Sequence, residues 1–152
     1  MRVLVVLTVL VCLAGPAPAS AAGSRATVRA GVLDALEVLH EWDDRRALAW
    51  ASVDEQALRS LYSPGSAAAR ADVRLLRSYT ARGLVVRRIV TQVFGVVVLR
   101  RDPGRMVLLV RDRVAGGVVL ERGRESALSS TTPVVRRLEL RLVGAAWRLA
   151  AG

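Results

Sequence analysis

Between Leu84 and Leu120 the chain reads LVVRRIVTQVFGVVVLRRDPGRMVLLVRDRVAGGVVL. Val, Ile, Leu and Thr dominate it, and the only breaks are Gly95, Asp102-Pro103-Gly104 and Gly116-Gly117. β-Branched side chains are stiff at χ1 and pack well on a pleated surface, so such runs between turn residues predict strands joined by hairpins. The residues before this stretch have helical periodicity, and a further strand pair follows it. The expected fold class is α+β: three N-terminal helices packed on a curved antiparallel sheet of four to five strands.

The helices follow from apolar spacing and capping chemistry. From Thr27 to Ala51, Val32, Leu36, Leu39, Trp42 and Trp50 recur at helical steps and mark one buried face. The charged run His40 to Arg46 reads as a solvated flank, with Glu41 and Arg45 at i,i+4 and Asp43 and Arg46 at i,i+3. Ser52-Val-Asp-Glu55 has the spacing of a capping box and starts a short second helix, which Tyr62-Ser-Pro-Gly-Ser66 ends. Ser66 then caps a third helix over residues 67–81, with Val73, Leu76 and Tyr79 on one side and Gly83 where a left-handed C-cap belongs.

In the strands, alternation assigns faces. Val85, Ile89, Val93, Val97 and Leu99 fall on one side of the first, with Arg88, Val90, Gln92, Phe94 and Val96 opposite. Gly95 inside so long a strand predicts a bulge. Asp102 to Arg105 is a tight turn, after which Met106, Leu108, Val110 and Asp112 share a face. Gly116-Gly117 predicts the next turn. Leu138, Leu140 and Leu142 point inward from the following strand, with Arg137, Glu139 and Arg141 outward, and Gly144 turns it into a last strand bearing Trp147.

The N-terminus predicts export. Arg2 precedes an apolar run of about 12 residues, too short for the roughly 20 of a membrane span, and Gly15-Pro16 leads to an A-x-A cleavage site at Ala19-Ser20-Ala21. Residues 1–21 are therefore expected to be a cleavable leader for the general secretory route, 22–26 a spacer and 27–152 a single domain. The only cysteine, Cys12, leaves with the leader, so a mature protein would have no disulfide. The formal charge is +10, and all 23 basic residues are Arg, a composition that reflects a GC-rich genome more than a chemical demand.

The helix ending near Trp50, the 54–62 helix closing in Leu-Tyr-Ser-Pro-Gly-Ser, Ala71-Asp72 leading to Arg82-Gly83-Leu84, and the final Gly144-x-x-Trp147-Arg148 hairpin carry a resemblance. In this order they resemble the nuclear-transport-factor-2-like superfamily, the cystatin-like α+β cone, and its exported members from GC-rich bacteria. The resemblance covers roughly residues 27–150. It implies a cavity between the first helix and the concave sheet face, where enzymes of the superfamily place an acid–base carboxylate or His, often with a Tyr. Asp112 is the candidate carboxylate here, with Trp42 and Tyr62 as cavity wall. Arg46 is the expected partner if Asp112 lies in the cone, and a turn amide or water if Asp112 sits at a strand end.

The expected function is an exported, non-catalytic binding or protein-interaction module, holding a small apolar ligand in the cone or a protein on the sheet. One alternative is an isomerase- or dehydratase-like enzyme using Asp112 as acid–base. The other is binding of anionic envelope polymer or lipid through Arg70, Arg74 and Arg77, which lie at i, i+4, i+7 on one helical face. Nucleic acid is not an expected partner, because stacking aromatics are not interleaved with the arginines. No cofactor or metal is expected, since phosphate-binding glycine loops and His/Cys clusters are missing from the sequence.

Overall fold

The computed structural model describes the backbone of residues 20–152 and the side chains from Thr27 onward. Residues 1–19, which hold most of the expected leader and Cys12, lie outside that description. Three helices come first: α1 (Ser20–Ala51), α2 (Glu55–Ser60) and α3 (Ala67–Thr80). Five strands follow: β1 (Leu84–Asp102), β2 (Arg105–Glu121), β3 (Arg124–Ala127), β4 (Val134–Val143) and β5 (Ala146–Ala151). The backbone of α1 is already helical from Ser20, ahead of the expected start at Thr27, so residues 22–26 belong to the helix.

The antiparallel sheet runs β1-β2-β4-β5, with β3 also paired to β2. β2 pairs with β1 along its length, while its other edge is shared. β4 takes Arg105 to Asp112 and β3 takes Val118 to Glu121. The sheet therefore forks, and residues 128–133 bridge the gap. Leu128 N–H donates to Gly117 O at 3.1 Å and Thr131 N–H to Val114 O at 2.9 Å. This fork opens the concave side of the sheet toward α3.

Gly116-Gly117 is not a turn. Both glycines lie within β2, opposite a bulge in β1 where Arg88 adopts φ 53°. A Cβ on Gly117 would meet the carbonyl oxygens of Arg87 and Arg88 at 3.1 Å, so the glycine is needed for close backbone approach. The turn falls instead at Arg122-Gly123, where φ is positive at both residues (46° and 82°) between the paired Glu121 and Arg124. That is the two-residue hairpin turn whose twist matches the strands.

The bulges also alter the expected face of β1: Ile89 and Val93 pack on the core as expected, but past Gly95 the two faces are exchanged. Register shifts fall between Arg87 and Val90, Val90 and Thr91, Val93 and Gly95, and Val98 and Arg100. Each extra residue exchanges inside for outside. Val86, Ile89, Val93, Val96 and Val98 consequently pack on the core, while Val97 and Leu99 are 55% and 52% exposed. β2 follows its expected alternation, with Met106, Leu108, Val110 and Asp112 all buried. In β4, Leu138 and Leu140 are buried but Leu142 is exposed, and Glu139 is covered by ion pairs with Arg105 and Arg141.

In α1, Ala35, Leu39, Trp42, Ala49 and Trp50 are buried, and Trp42 Nε1 donates to Leu61 O at 2.9 Å. The second helix is capped by Asp54, whose carboxylate accepts from Ala57 N at 2.9 Å. Ser52 instead donates back to Leu48 O at 2.8 Å, so the expected capping box is not formed. Ser66 caps α3 as expected, and Gly83 has φ 72°. Residues 61–63 join the β5 edge through Leu149 N–H to Leu61 O and Ser63 N–H to Leu149 O, both at 2.9 Å.

The inversion of β1 predicts opposite sensitivities for adjacent valines. Val97→Thr should change unfolding free energy by less than about 0.5 kcal/mol. Val96→Thr and Val98→Thr should each cost about 1 kcal/mol or more, from a hydroxyl buried against the core. Urea unfolding of the three variants checks this order.

Candidate functional site

The site is organised by Asp72, on the buried face of α3 beside Val73 and Leu76 and only 7% exposed. A carboxylate there needs donors. Arg46 of α1 supplies a two-pronged bond, with Nε to Oδ2 and Nη2 to Oδ1 both at 2.6 Å. Tyr62 Oη donates to Oδ2 at 2.6 Å and Trp50 Nε1 to Oδ1 at 3.2 Å. Trp42 meets Tyr62 edge-to-face at 5.5 Å, and the Arg46 guanidinium lies 5.7 Å from the Trp50 ring centre. Burial disfavours a charged Arg46, but the hydrogen bonds and charge of Asp72 outweigh it and hold the guanidinium protonated. The Tyr62 hydroxyl is pushed well above its usual range, first by burial and then by the Asp72 charge.

Asp112 is not at a strand end, because β2 continues to Glu121, and its partner is not Arg46. It is 4% exposed and receives both prongs of Arg136 from β4, with Nε to Oδ1 at 3.0 Å and Nη2 to Oδ2. The two residues are diagonal neighbours on the inner face, since Arg136 stands opposite Val110 and Asp112 opposite Val134. Asp43 of α1 completes the cluster. Burial raises its carboxyl above the ordinary value, Arg46 and Arg136 pull it down, and the Asp112 charge raises it further. Asp43 thus belongs to the site and not to the solvated flank expected from its sequence context.

These groups line an open cleft of about 480 Å³ between α1, α3 and the fork of the sheet, which brings together Trp42, Arg46, Tyr62 and Asp112. Arg46, Leu75, Val114 and Thr131 form a shared wall with a second chamber of about 460 Å³. That chamber is lined by Trp50, Tyr79, Leu84, Val86, Ile89, Val119 and Leu128, with Arg82 among them. Below Asp112 the cone is filled, leaving about 10 Å³ among Leu39, Trp42, Val93, Val110, Leu138 and Leu140. Phe94 lies outside, 45% exposed on the other face of the sheet.

The basic stripe Arg70, Arg74, Arg77 is exposed on α3 and borders a separate depression with Arg59 and Pro64. Arg77 forks Glu55 at 2.6 and 2.7 Å, Arg59 reaches the same carboxylate at 2.7 Å, and Arg70 donates to Gly65 O at 2.6 Å. Of the three, Arg77 has a counter-charge within the protein, and it shares Glu55 with Arg59. His40 is exposed. Among the described residues no cluster of three His, Cys, Asp or Glu side chains could hold a metal ion. Nor is any helix among them long and apolar enough to cross a membrane. Sequence reasoning missed Asp72, Asp43 and Arg136 as cleft residues. The available signal for Asp72 was an acid within the Val73/Leu76/Tyr79 stripe of an amphipathic helix.

No protein-family profile and no curated protein sequence matches the chain. Solved structures do match. The intermembrane-space region of the chloroplast protein ARC6 superposes with a TM-score of 0.52 at 12% identity, covering 78% of this chain and 92% of that one. Aln2 from a Streptomyces species gives 0.51 at 13% identity, covering 78% and 87%. A protein of unknown function from Nostoc punctiforme, described as having a cystatin-like fold, gives 0.46 at 13% identity, also covering 78% and 87%. At these identities the likeness is one of fold: three helices packed on an open antiparallel sheet of five strands, the expected α+β class.

Two outcomes follow from the buried charges. Asp72→Ala leaves Arg46 without its counter-charge and should cost about 3 kcal/mol in urea unfolding, whereas the pair Arg46→Met/Asp72→Leu should restore most of that loss. Because the folded-state carboxyl of Asp43 ionises at higher pH than the unfolded one, stability falls as pH rises through its folded pKa. Asp43→Asn should therefore raise Tm relative to the parent by an amount that grows between about pH 3 and about pH 7, as thermal melts across that range would show.

Proposed function

We propose that this chain is an exported binding module whose helix–sheet cleft holds a small amphipathic ligand. The apolar body lies against Trp50, Tyr79, Ile89 and Leu128, and the polar end faces the Asp112–Arg136 pair. The observation that carries this reading is the pair of hydrogen bonds that Arg136 donates to Asp112. The Arg136 fork engages both oxygens of the Asp112 carboxylate, which disfavours the isomerase- or dehydratase-like alternative, while the walls around it offer aromatic and aliphatic surface. Export rests on the leader at residues 1–21, with cleavage after Ala21. Envelope polymer binding through Arg70, Arg74 and Arg77 is weaker as a reading, because Glu55 and the Gly65 carbonyl already engage two of the three.

Calorimetric titration with dodecanoate tests the cleft. Saturable binding with Kd on the order of micromolar is expected, together with a rise in Tm. Leu128→Trp, which fills the apolar chamber, should weaken binding at least about tenfold with secondary structure intact by circular dichroism. Unchanged affinity in that variant, or no binding of dodecanoate or of the neutral dodecanol by the parent chain, would overturn the reading.

A further inference from the structure

The outer face of the sheet, on the side away from α1, combines exposed apolar side chains with cations. Across β1, β2 and β4 one row reads Val97, Leu109, Arg137 and the next Gly95, Arg111, Val135. Val97, Leu109 and Val135 are 55%, 37% and 61% exposed. The bulge before Gly95 turns Phe94 outward, where the guanidiniums of Arg111 and Arg113 each lie 5.5 Å from its ring centre. Arg113 also donates to Gln92 Oε1 at 3.0 Å. Among the outward residues of β2 and β4 in the paired stretch, Glu139 is the only carboxylate, and Arg105 and Arg141 already claim it. Arg111 and Arg137 make no ion pair among the described residues.

We infer that this face is a docking surface for an acidic partner chain, an extended segment whose carboxylates meet Arg111 and Arg137 while its apolar side chains cover Phe94, Val97 and Leu109. Charge complementarity selects that occupant. A two-fold dimer would set the same patch against itself and bring Arg111 and Arg137 of each copy toward those of the other. A bilayer suits it less well: the cations alternate with the apolar side chains in the plane of the sheet, so inserting Val97 and Leu109 would carry Arg111 and Arg137 down with them. Because successive side chains of an extended chain point to opposite faces, a partner whose every second residue is by turns a carboxylate and an apolar group presents both kinds to these rows.

The test uses the full-length chain and a fluorescein-labelled peptide of repeating Glu-Ser-Leu-Ser, which places Glu and Leu on one face of an extended chain, its Lys-Ser-Leu-Ser counterpart, and phosphatidylglycerol vesicles, followed by anisotropy and flotation. Saturable binding of the Glu peptide is expected, weakened several-fold by a rise in ionic strength from about 0.05 to about 0.5 M. Arg111→Glu/Arg137→Glu should reduce affinity at least about tenfold, and Val97→Asp should do so independently, both with Tm unchanged because these side chains are exposed. Four results would overturn the inference. They are equal binding of the Lys peptide, indifference to both sets of substitutions, co-flotation with vesicles that the same substitutions abolish, and a parent dimer that Val97→Asp splits in sedimentation.

Discussion

The carboxylate of Asp72 is the point on which the helical layer depends. It binds Arg46 and Trp50 from α1 and Tyr62 from the α2–α3 connection at once. These contacts hold three segments at one spacing above the sheet. An ion pair so little exposed is seldom a net source of stability against an apolar replacement, but removing one partner strands the other. Its effect is therefore on geometry: α3 can sit only where Asp72 reaches the Arg46 guanidinium. That position leaves the gap between α3 and the forked sheet which forms the two chambers.

The second constraint is the mismatch between β1 and β2. Repeated extra residues in β1 bend the strand pair and place Gly117 hard against the Arg87 and Arg88 carbonyls. The same bulges direct Phe94, Val97 and Leu99 outward and leave Val93, Val96 and Val98 to the core. Cleft and outer face thus have a common origin: the curvature that makes the inner side concave puts apolar side chains on the outer side among uncompensated arginines. The proposed ligand cleft and the proposed docking face are separable by substitution, since no residue argued for one lines the other except Arg113, at the rim.

Much of the fold was legible in the sequence. The Ser66 cap, Gly83, the Asp102–Arg105 turn, the inward row Met106, Leu108, Val110, Asp112, and the buried Leu39, Trp42 and Trp50 all depend on chemistry within a few residues of chain. The grouping of Trp42, Arg46, Tyr62 and Asp112 at one cleft came from resemblance to the cone. Gly116-Gly117 misled because a glycine pair serves a turn or a close backbone approach equally well, and the sequence does not distinguish the two. Val97 and Leu99 misled because one bulge inverts the parity of every residue after it.

The amino-acid sequence by itself determined the α+β class, three helices ahead of an antiparallel meander, and several of the element ends. Periodicity, caps and turn residues are local, and their energetics are nearly complete within one element. Only the tertiary structure decided that Arg46 serves Asp72 and Arg136 serves Asp112, that Asp43 faces the cleft, and that β2 passes unbroken through its glycines. Those outcomes depend on which buried charge lies within reach of which guanidinium, and on how two long strands accommodate unequal residue counts. The physical reason is that ion pairing and register are relations between segments distant in the chain.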